Sequence, residues 1–468
     1  MRFRVLGQYI HSSMAMLSVA EAAMFFAAVY GAVLWRFGPD IQSLNLPDLH
    51  GALWPRALLF SLVMVTSLLA FGLYSPRQRA RLTGLALRVA VALGTGFAIT
   101  AALFYLIPAL WIGRGVVTLA AIGGLGGVSA SRFAFARVVD QSRFKRRVLV
   151  YGAGESAAAI AGLRRRADRR GFEVVGFVAA HAGERSVMVD RIIDPGGSLA
   201  GLCRRLDVPE IVVAMDDRRR DFPLAELLQC RLAGTTVTEL MTFLERETGR
   251  VRLDLINPSW MIFGDGFRRD PVRLVSSRAL DLTASLIVLA LALPVMLLTI
   301  LAIKAEDGWR APVLYRQRRV GLRGRLFDVL KFRSMRMDAE SDGRPQWAQR
   351  GDPRITRVGA FIRMGRIDEL PQILNVLRGQ MSLVGPRPER PEFVADLAER
   401  IPYYAERHCV KPGITGWAQL CYPYGSSDRD ALEKLQYDLY YVKNNTLLFD
   451  LAILLQTVEV VILGNGAH

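Results

Sequence analysis

The chain has 468 residues, 51% of them apolar, and a formal net charge of +17. Such a chain is long enough for two or three domains, and its apolar, basic character points to a membrane protein whose polar parts face anionic lipid or anionic substrates. Four cysteines (Cys203, Cys230, Cys409, Cys421) lie far apart with no CxxC pair, and five histidines are scattered, which argues against a zinc site or a disulfide framework. The arginines are spread over several segments without an aromatic-rich motif, so no nucleic-acid partner is expected.

Four apolar stretches come first, at about 12–37, 53–74, 85–110 and 115–136. Each is long enough to cross ~30 Å of hydrocarbon as a helix. The first loop carries Asp40 and Asp48, the second Arg77, Arg79 and Arg81, and the fourth stretch is followed by Arg137, Arg143, Lys145, Arg146 and Arg147. Lys/Arg-rich loops stay cytoplasmic, so both ends of this bundle, residues 1–140, are expected inside. Glu21 lies within the first span, where a position near the helix end or a packing partner explains an intramembrane acid better than function does.

A soluble domain is expected over 146–250. Val148-Leu149-Val150-Tyr151-Gly152-Ala153-Gly154 is an apolar strand running into a Gly-rich turn, followed by a helix. Gly152 and Gly154 belong to a G-x-G-x-x-A pattern, the sign of a phosphate loop in a Rossmann-like sheet. Further strands are predicted at 172–178 and 210–214. The second ends in Ala179-Ala180, where a dinucleotide-binding fold places an acid for the ribose. His181 and Glu184 come later and are poor substitutes, which favours nucleotide sensing or a structural role over cofactor-dependent catalysis. A linker is expected over 251–275.

The next apolar helix, 278–303, has Pro294 near its middle, and interior proline bends a helix. Arg268, Arg269, Arg273 and Arg278 precede it, while Lys304, Arg310, Arg316, Arg318 and Arg319 follow. Basic residues on both sides predict that both ends stay on the cytosolic face, as in a re-entrant helix. The competing reading is an ordinary fifth span.

The remainder, within a domain at 276–468, is rich in cations set beside Gly or Pro. Residues 314–324 read as a basic turn and 327–335 as a strand. A helix is predicted to begin at Asp368-Glu369-Leu370-Pro371 and to stop near Gly379, since proline suits a first helical turn. The helix dipole would keep Asp368 ionised for attack on phosphorus, with Glu369 holding a divalent metal; the competing reading is that Asp368 only caps the helix and Glu369 only pairs with Arg366. Prolines on both sides of Arg387 restrict its backbone, and its planar fork suits a phosphate. The tail 447–463 reads as a helix on the membrane interface, or else as a packed helix, the former being preferred.

The set KFRSM (331–335), DPRITRVG (352–359), DELPQ (368–372), MSLVGPRP (381–388) and KPGITGWAQ (411–419) resembles the bacterial sugar transferase family, the monotopic phosphoglycosyl transferases acting on polyprenol phosphate. The four N-terminal spans and the Rossmann-like domain are similar to its large, exopolysaccharide-priming branch. The resemblance implies a membrane helical bundle, an α/β Rossmann-like cytosolic domain and an α/β catalytic domain with a re-entrant helix, all at the bacterial inner membrane. It implies Asp368 as nucleophile on a UDP-sugar, Glu369 on Mg²⁺, and undecaprenyl phosphate as acceptor. Arg387, Arg333, Lys331 and Arg366 are then candidates for substrate phosphates, and Arg278, Asp281 and Pro294 for anchoring and bending the re-entrant helix. A homodimer is plausible for such an enzyme. Many relatives have Ser-Leu before the acidic pair, where this chain has Arg366-Ile367. Two rivals are a nucleotide-sugar oxidoreductase, for which no Tyr-x-x-x-Lys pair is evident, and a non-enzymatic assembly scaffold.

Overall fold

The computed structural model describes residues 2–5, 8–38, 52–71, 73–74, 82–138, 145–163, 168–169, 171–181, 183–184, 186–217, 221–256, 271–336, 352–422, 425 and 427–462. It divides into two compact units, Met1–Gly249 and Arg250–His468. The loop charges Asp40, Asp48, Arg77, Arg79, Arg81 and Arg143, and the segment 257–270, lie outside the described residues.

The first unit opens on a short antiparallel hairpin, β1 (Arg2–Val5) and β2 (Gln8–His11). Four apolar helices follow: α1 (Ser12–Phe37), α2 (Leu53–Ala70), α3 (Leu82–Leu106) and α4 (Arg114–Val138). All four are long and apolar enough to cross a membrane. Helix α1 packs on α2 and α4, and α3 packs on both of those as well. Glu21 is fully buried and holds Arg132 at 2.9 Å, while the Tyr74 hydroxyl donates to the same carboxylate. The acid in the first span thus has a cation and a hydroxyl as packing partners.

A parallel four-stranded sheet completes the unit. It is built from β3 (Arg146–Tyr151), α5 (Glu155–Ala161), β4 (Phe172–Val178), α6 (Leu199–Arg205), β5 (Glu210–Val213), α7 (Leu224–Leu232), β6 (Thr236–Glu239) and α8 (Leu240–Thr248). The strand order is β4-β3-β5-β6. Val148, Leu149, Val150, Ile211 and Val212 are fully buried, the near-continuous apolar run of a sheet covered on both faces. The strand β6 escapes periodicity because Thr236-Val237-Thr238-Glu239 is short and polar.

The second unit begins before its long helix: Val251 N–H donates to the Gln436 carbonyl. That helix, α9, spans Pro271–Asp307, longer at both ends than the expected 278–303. Pro271 starts it because a first-turn proline leaves no hydrogen bond unmade. Residues 271–275 of the expected linker therefore form its first turn. The expected basic turn over 314–324 is mostly a strand, β7 (Leu314–Val320), paired antiparallel with β8 (Leu326–Phe332). Its residues alternate between exposed and half-buried, so the arginines Arg316 and Arg318 share the solvent face of a hairpin.

The rest of the unit comprises α10 (Arg357–Met364), α11 (Gln372–Leu377), β9 (Ser382–Val384), α12 (Pro391–Arg400), β10 (Gly413–Thr415), α13 (Trp417–Cys421), α14 (Asp428–Asn444) and α15 (Leu447–Ile462). One core cluster gathers Val329, Val376, Met381, Val384, Tyr441 and Ile453, and a second sets Met296 and Ile303 of α9 against Phe332 and Ile362. Strand β8 feeds both clusters because Val329 and Phe332 lie on opposite faces. The tail helix α15 packs on this core through Ile453, with Thr457 bonded to Thr415 at 2.7 Å.

Candidate active site

Two turns and a hairpin strand converge on Glu369. The chain leaves α10 at Gly365 and reverses at Arg366, whose left-handed backbone (φ 53°) is unusual for a residue with a side chain. Ile367–Glu369 then form one 3₁₀ turn before Pro371 and α11. Asp368 therefore sits in a 3₁₀ turn ahead of the α-helix rather than at the helix N-terminus. Helix α11 ends before Gly379, which takes φ +80°.

Lys331 of β8 places Nζ 3.3 Å from Glu369 Oε1, and the Arg387 guanidinium lies 3.0 Å from the same oxygen. Burial pushes the Glu369 carboxyl up, but Arg387, Lys331 and Arg366 outweigh it and hold the group at about 2. Asp368 goes the other way. Burial and the neighbouring Glu369 charge push its carboxyl above the ordinary aspartate range, against Lys331 and Arg363. Burial lowers the Lys331 ammonium, and Arg387 adds to that against the pull of Glu369. The dyad is thus split into a firmly ionised Glu369 and a more basic Asp368 (environments that separate two carboxylates in this way assign them different tasks).

The Arg387 loop is held from both sides. Arg407 donates to the Arg387 carbonyl at 2.9 Å and pairs with Asp438 at 2.8 Å, and both side chains are nearly fully buried. Arg319 donates to the Pro388 carbonyl at 3.2 Å, and Val320 N–H to the Glu389 carbonyl at 3.0 Å. Burial depresses the Arg319 guanidinium, with Arg387 and Arg390 adding to the effect against Glu389. Cations are therefore crowded here, as an anionic ligand requires. Behind the loop, β9 and β10 run so close that a Cβ on Gly413 would stand 2.1 Å from Gly385 N. The glycines of the two motifs let these backbones touch.

Asn375 ties α11 to β8. It is fully buried, accepts from Leu330 N–H at 3.0 Å and donates to the Asp328 carbonyl at 2.7 Å. Asn375→Ala would leave that N–H and carbonyl buried and unpaired. The expected loss is about 1–3 kcal/mol, read as a lower midpoint in denaturant unfolding.

Helix α9 is anchored to this unit at both ends. Near its start Arg278 donates to the Val376 and Leu377 carbonyls at 2.6 and 2.7 Å, and Asp281 accepts from Ser382 Oγ and Leu383 N–H, both at 2.9 Å. At its end Glu306 accepts from the first N–H groups of α10, Arg357 at 2.8 Å and Val358 at 2.9 Å. Arg333 is buried and pairs with Asp307 of the same last turn. Arg333 thus has a carboxylate partner from the end of α9. Pro294 lies within the helix, whose middle exposes apolar side chains such as Leu291, 75% accessible.

Among the described residues, no group of three or more His, Cys, Asp or Glu side chains is arranged to hold a metal ion. A magnesium ion needs no such cage when substrate phosphates and water fill its shell beside one or two carboxylates, which Asp368 and Glu369 can supply. Arg407, Asp438 and Asn375 were not singled out from sequence, and Arg319 was named only as a cation flanking the long helix. Asp438 had a signal, because it shares a helical face with Leu435 and Val442, and a carboxylate on a buried face needs a cation.

A profile described as Bacterial sugar transferase matches residues 272–464, and one described as CoA-binding domain matches residues 69–221. A UDP-N-acetylgalactosamine-undecaprenyl-phosphate N-acetylgalactosaminephosphotransferase of Aeromonas hydrophila is 42% identical over 52% of this chain and 56% of its own length. An undecaprenyl-phosphate glucose phosphotransferase of Komagataeibacter xylinus is 42% identical over 42% of this chain and 37% of its own length. The chain thus spans less than two thirds of either relative. A UDP-glucose:undecaprenyl-phosphate glucose-1-phosphate transferase of Caulobacter vibrioides is 43% identical over 41% of this chain, and the alignment covers 71% of that protein. This chain belongs to the bacterial sugar transferase family.

Proposed function

We propose that the protein transfers a sugar 1-phosphate from a UDP-sugar to undecaprenyl phosphate, releasing UMP and starting an exopolysaccharide repeat unit. The observation that carries this reading is the Asp368–Glu369 dyad, with Arg387 and Lys331 both on Glu369 Oε1. An Asp368 carboxylate oxygen attacks the phosphorus that bears the sugar, and the phosphorus–oxygen bond to UMP breaks. A phosphate oxygen of the lipid then attacks the same phosphorus and displaces Asp368, leaving a polyprenyl-diphosphate sugar. Arg387, Lys331 and Arg366 place positive charge around the diphosphate, so the site works by positioning and fixed electrostatics. Glu369 would hold Mg²⁺, which when bound offsets diphosphate charge.

The re-entrant reading of α9 draws support from its anchors. Asp281 and Glu306 lie ~37 Å apart along a straight helix, yet each bonds to the same unit. A helix that dips into the cytosolic leaflet of the inner membrane and returns keeps both polar ends in water and its leucines in lipid. Cysteines placed at Val272 and Trp309, both exposed, should then be labelled from the cytosolic side alone. Labelling of the two from opposite sides would make α9 a fifth span.

Purified protein with undecaprenyl phosphate, Mg²⁺ and a panel of UDP-sugars should release UMP, and chelation should stop it. UDP-glucose and UDP-galactose are the favoured donors, with UDP-N-acetylgalactosamine added because of the Aeromonas relative. Absence of UMP release with every donor would refute the assignment.

A further inference from the structure

The turn between β3 and α5 has the glycine spacing of a phosphate loop, and in this structure its donors are already taken. Asp216, just after β5, accepts from the main-chain N–H of Glu155 at 2.9 Å and of Ser156 at 2.7 Å. Glu184 Oε2 accepts from Ala153 N–H at 2.8 Å and from Ala180 N–H at 3.0 Å. Two carboxylates of the chain thus sit on three N–H groups of the loop.

Close approaches also explain the glycines, one of them to Asp216 itself. Gly152 has φ +121°, and a Cβ there would stand 2.2 Å from the Ala214 carbonyl oxygen. A Cβ on Gly154 would stand 1.9 Å from Asp216 Oδ2. In a cofactor-binding fold the second glycine of this pattern lets a pyrophosphate approach the backbone. Here it lets a side-chain carboxylate approach. Glu184 follows β4, the strand that precedes the ribose-binding acid in such folds, yet it turns inward onto the loop.

We infer that this turn is self-occupied, with Asp216 and Glu184 standing where ligand phosphates would sit, so that the domain takes neither a dinucleotide nor coenzyme A through it. The description of the matching profile as a CoA-binding domain does not fit these residues. An incoming pyrophosphate would meet two negative groups in place of donors and would have to displace both. Burial pushes the Asp216 carboxyl up, but the N–H groups of Ser156 and Glu155 bring it below the ordinary aspartate range, so the occupant is ionised at neutral pH. The domain is then a structural module whose glycine pattern outlives any cofactor.

Thermal unfolding of the full-length protein in lipid nanodiscs tests this, with NADH, coenzyme A and inorganic phosphate as probes. Wild type should melt at the same temperature with each probe as in chloride of equal ionic strength. Asp216→Ala should melt about 2–4 °C lower, and inorganic phosphate should restore the loss by replacing the carboxylate. Asp216→Asn, which keeps an acceptor oxygen, serves where the alanine variant does not fold and should show a smaller loss, likewise reduced by phosphate. Stabilisation of wild type by NADH or coenzyme A overturns the inference. So does a variant that melts like wild type, or whose loss phosphate does not reverse.

Discussion

Asp368→Asn is expected to lower UMP release by at least about 10³-fold while leaving the fold and the donor KM nearly unchanged. Asparagine keeps the size and an acceptor oxygen, but it has no carboxylate oxygen to bond to phosphorus. The same residue sets the acid limb of the pH profile. Its carboxyl must be ionised to attack, and burial with the adjacent Glu369 raises its pKa. Turnover by wild type should therefore fall with decreasing pH at values above the ordinary aspartate range. Glu369 does not account for that limb, since its carboxyl is held at about 2 and stays ionised throughout. Because its folded pKa is depressed, its ionisation supports stability above the ordinary glutamate range, and that support is lost as pH falls towards about 2. Glu369→Gln should remove both this stability term and the ordering of Arg387.

Arg407→Ala should be the most destabilising single change in the second unit, at about 3–5 kcal/mol. The substitution leaves the Asp438 carboxylate buried without its cation and removes donors from the Tyr404 hydroxyl and the Arg387 carbonyl. Arg407→Lys preserves a charge beside Asp438 but cannot reach all three acceptors with a planar fork. It should fold and show a raised donor KM, because Arg387 loses its backbone restraint. Equilibrium unfolding gives the first quantity and initial rates over a UDP-sugar series give the second. A lysine variant with wild-type KM would mean that the prolines alone orient Arg387.

What could be read from the sequence follows from the range of the interactions. The spans of α1 and α2 and the strand β4 come from local apolar runs, and their bounds lie close to those expected. The motifs named Glu369, Lys331 and Arg387 separately, but not that both cations meet one oxygen of Glu369, because the three come from distant parts of the chain. The pairing of Arg333 with Asp307 could not be read, because the two lie 26 residues apart and meet only through the end of α9. The hairpin strand β7 was hidden by its arginines, which look like a solvated turn until their alternation is counted. The occupation of the Gly152–Ser156 turn was beyond reach, since Asp216 lies 60 residues from Ser156 in sequence. A glycine pattern reports that something approaches the backbone closely, and not what approaches.

The most direct test is to incubate the purified protein with UDP-sugar in the absence of lipid acceptor, then map modified peptides by mass spectrometry. A sugar-phosphate adduct is expected on Asp368, formed with one equivalent of UMP and discharged when undecaprenyl phosphate is added. Turnover that requires both substrates together and leaves Asp368 unmodified, or an adduct on any other residue, would contradict it.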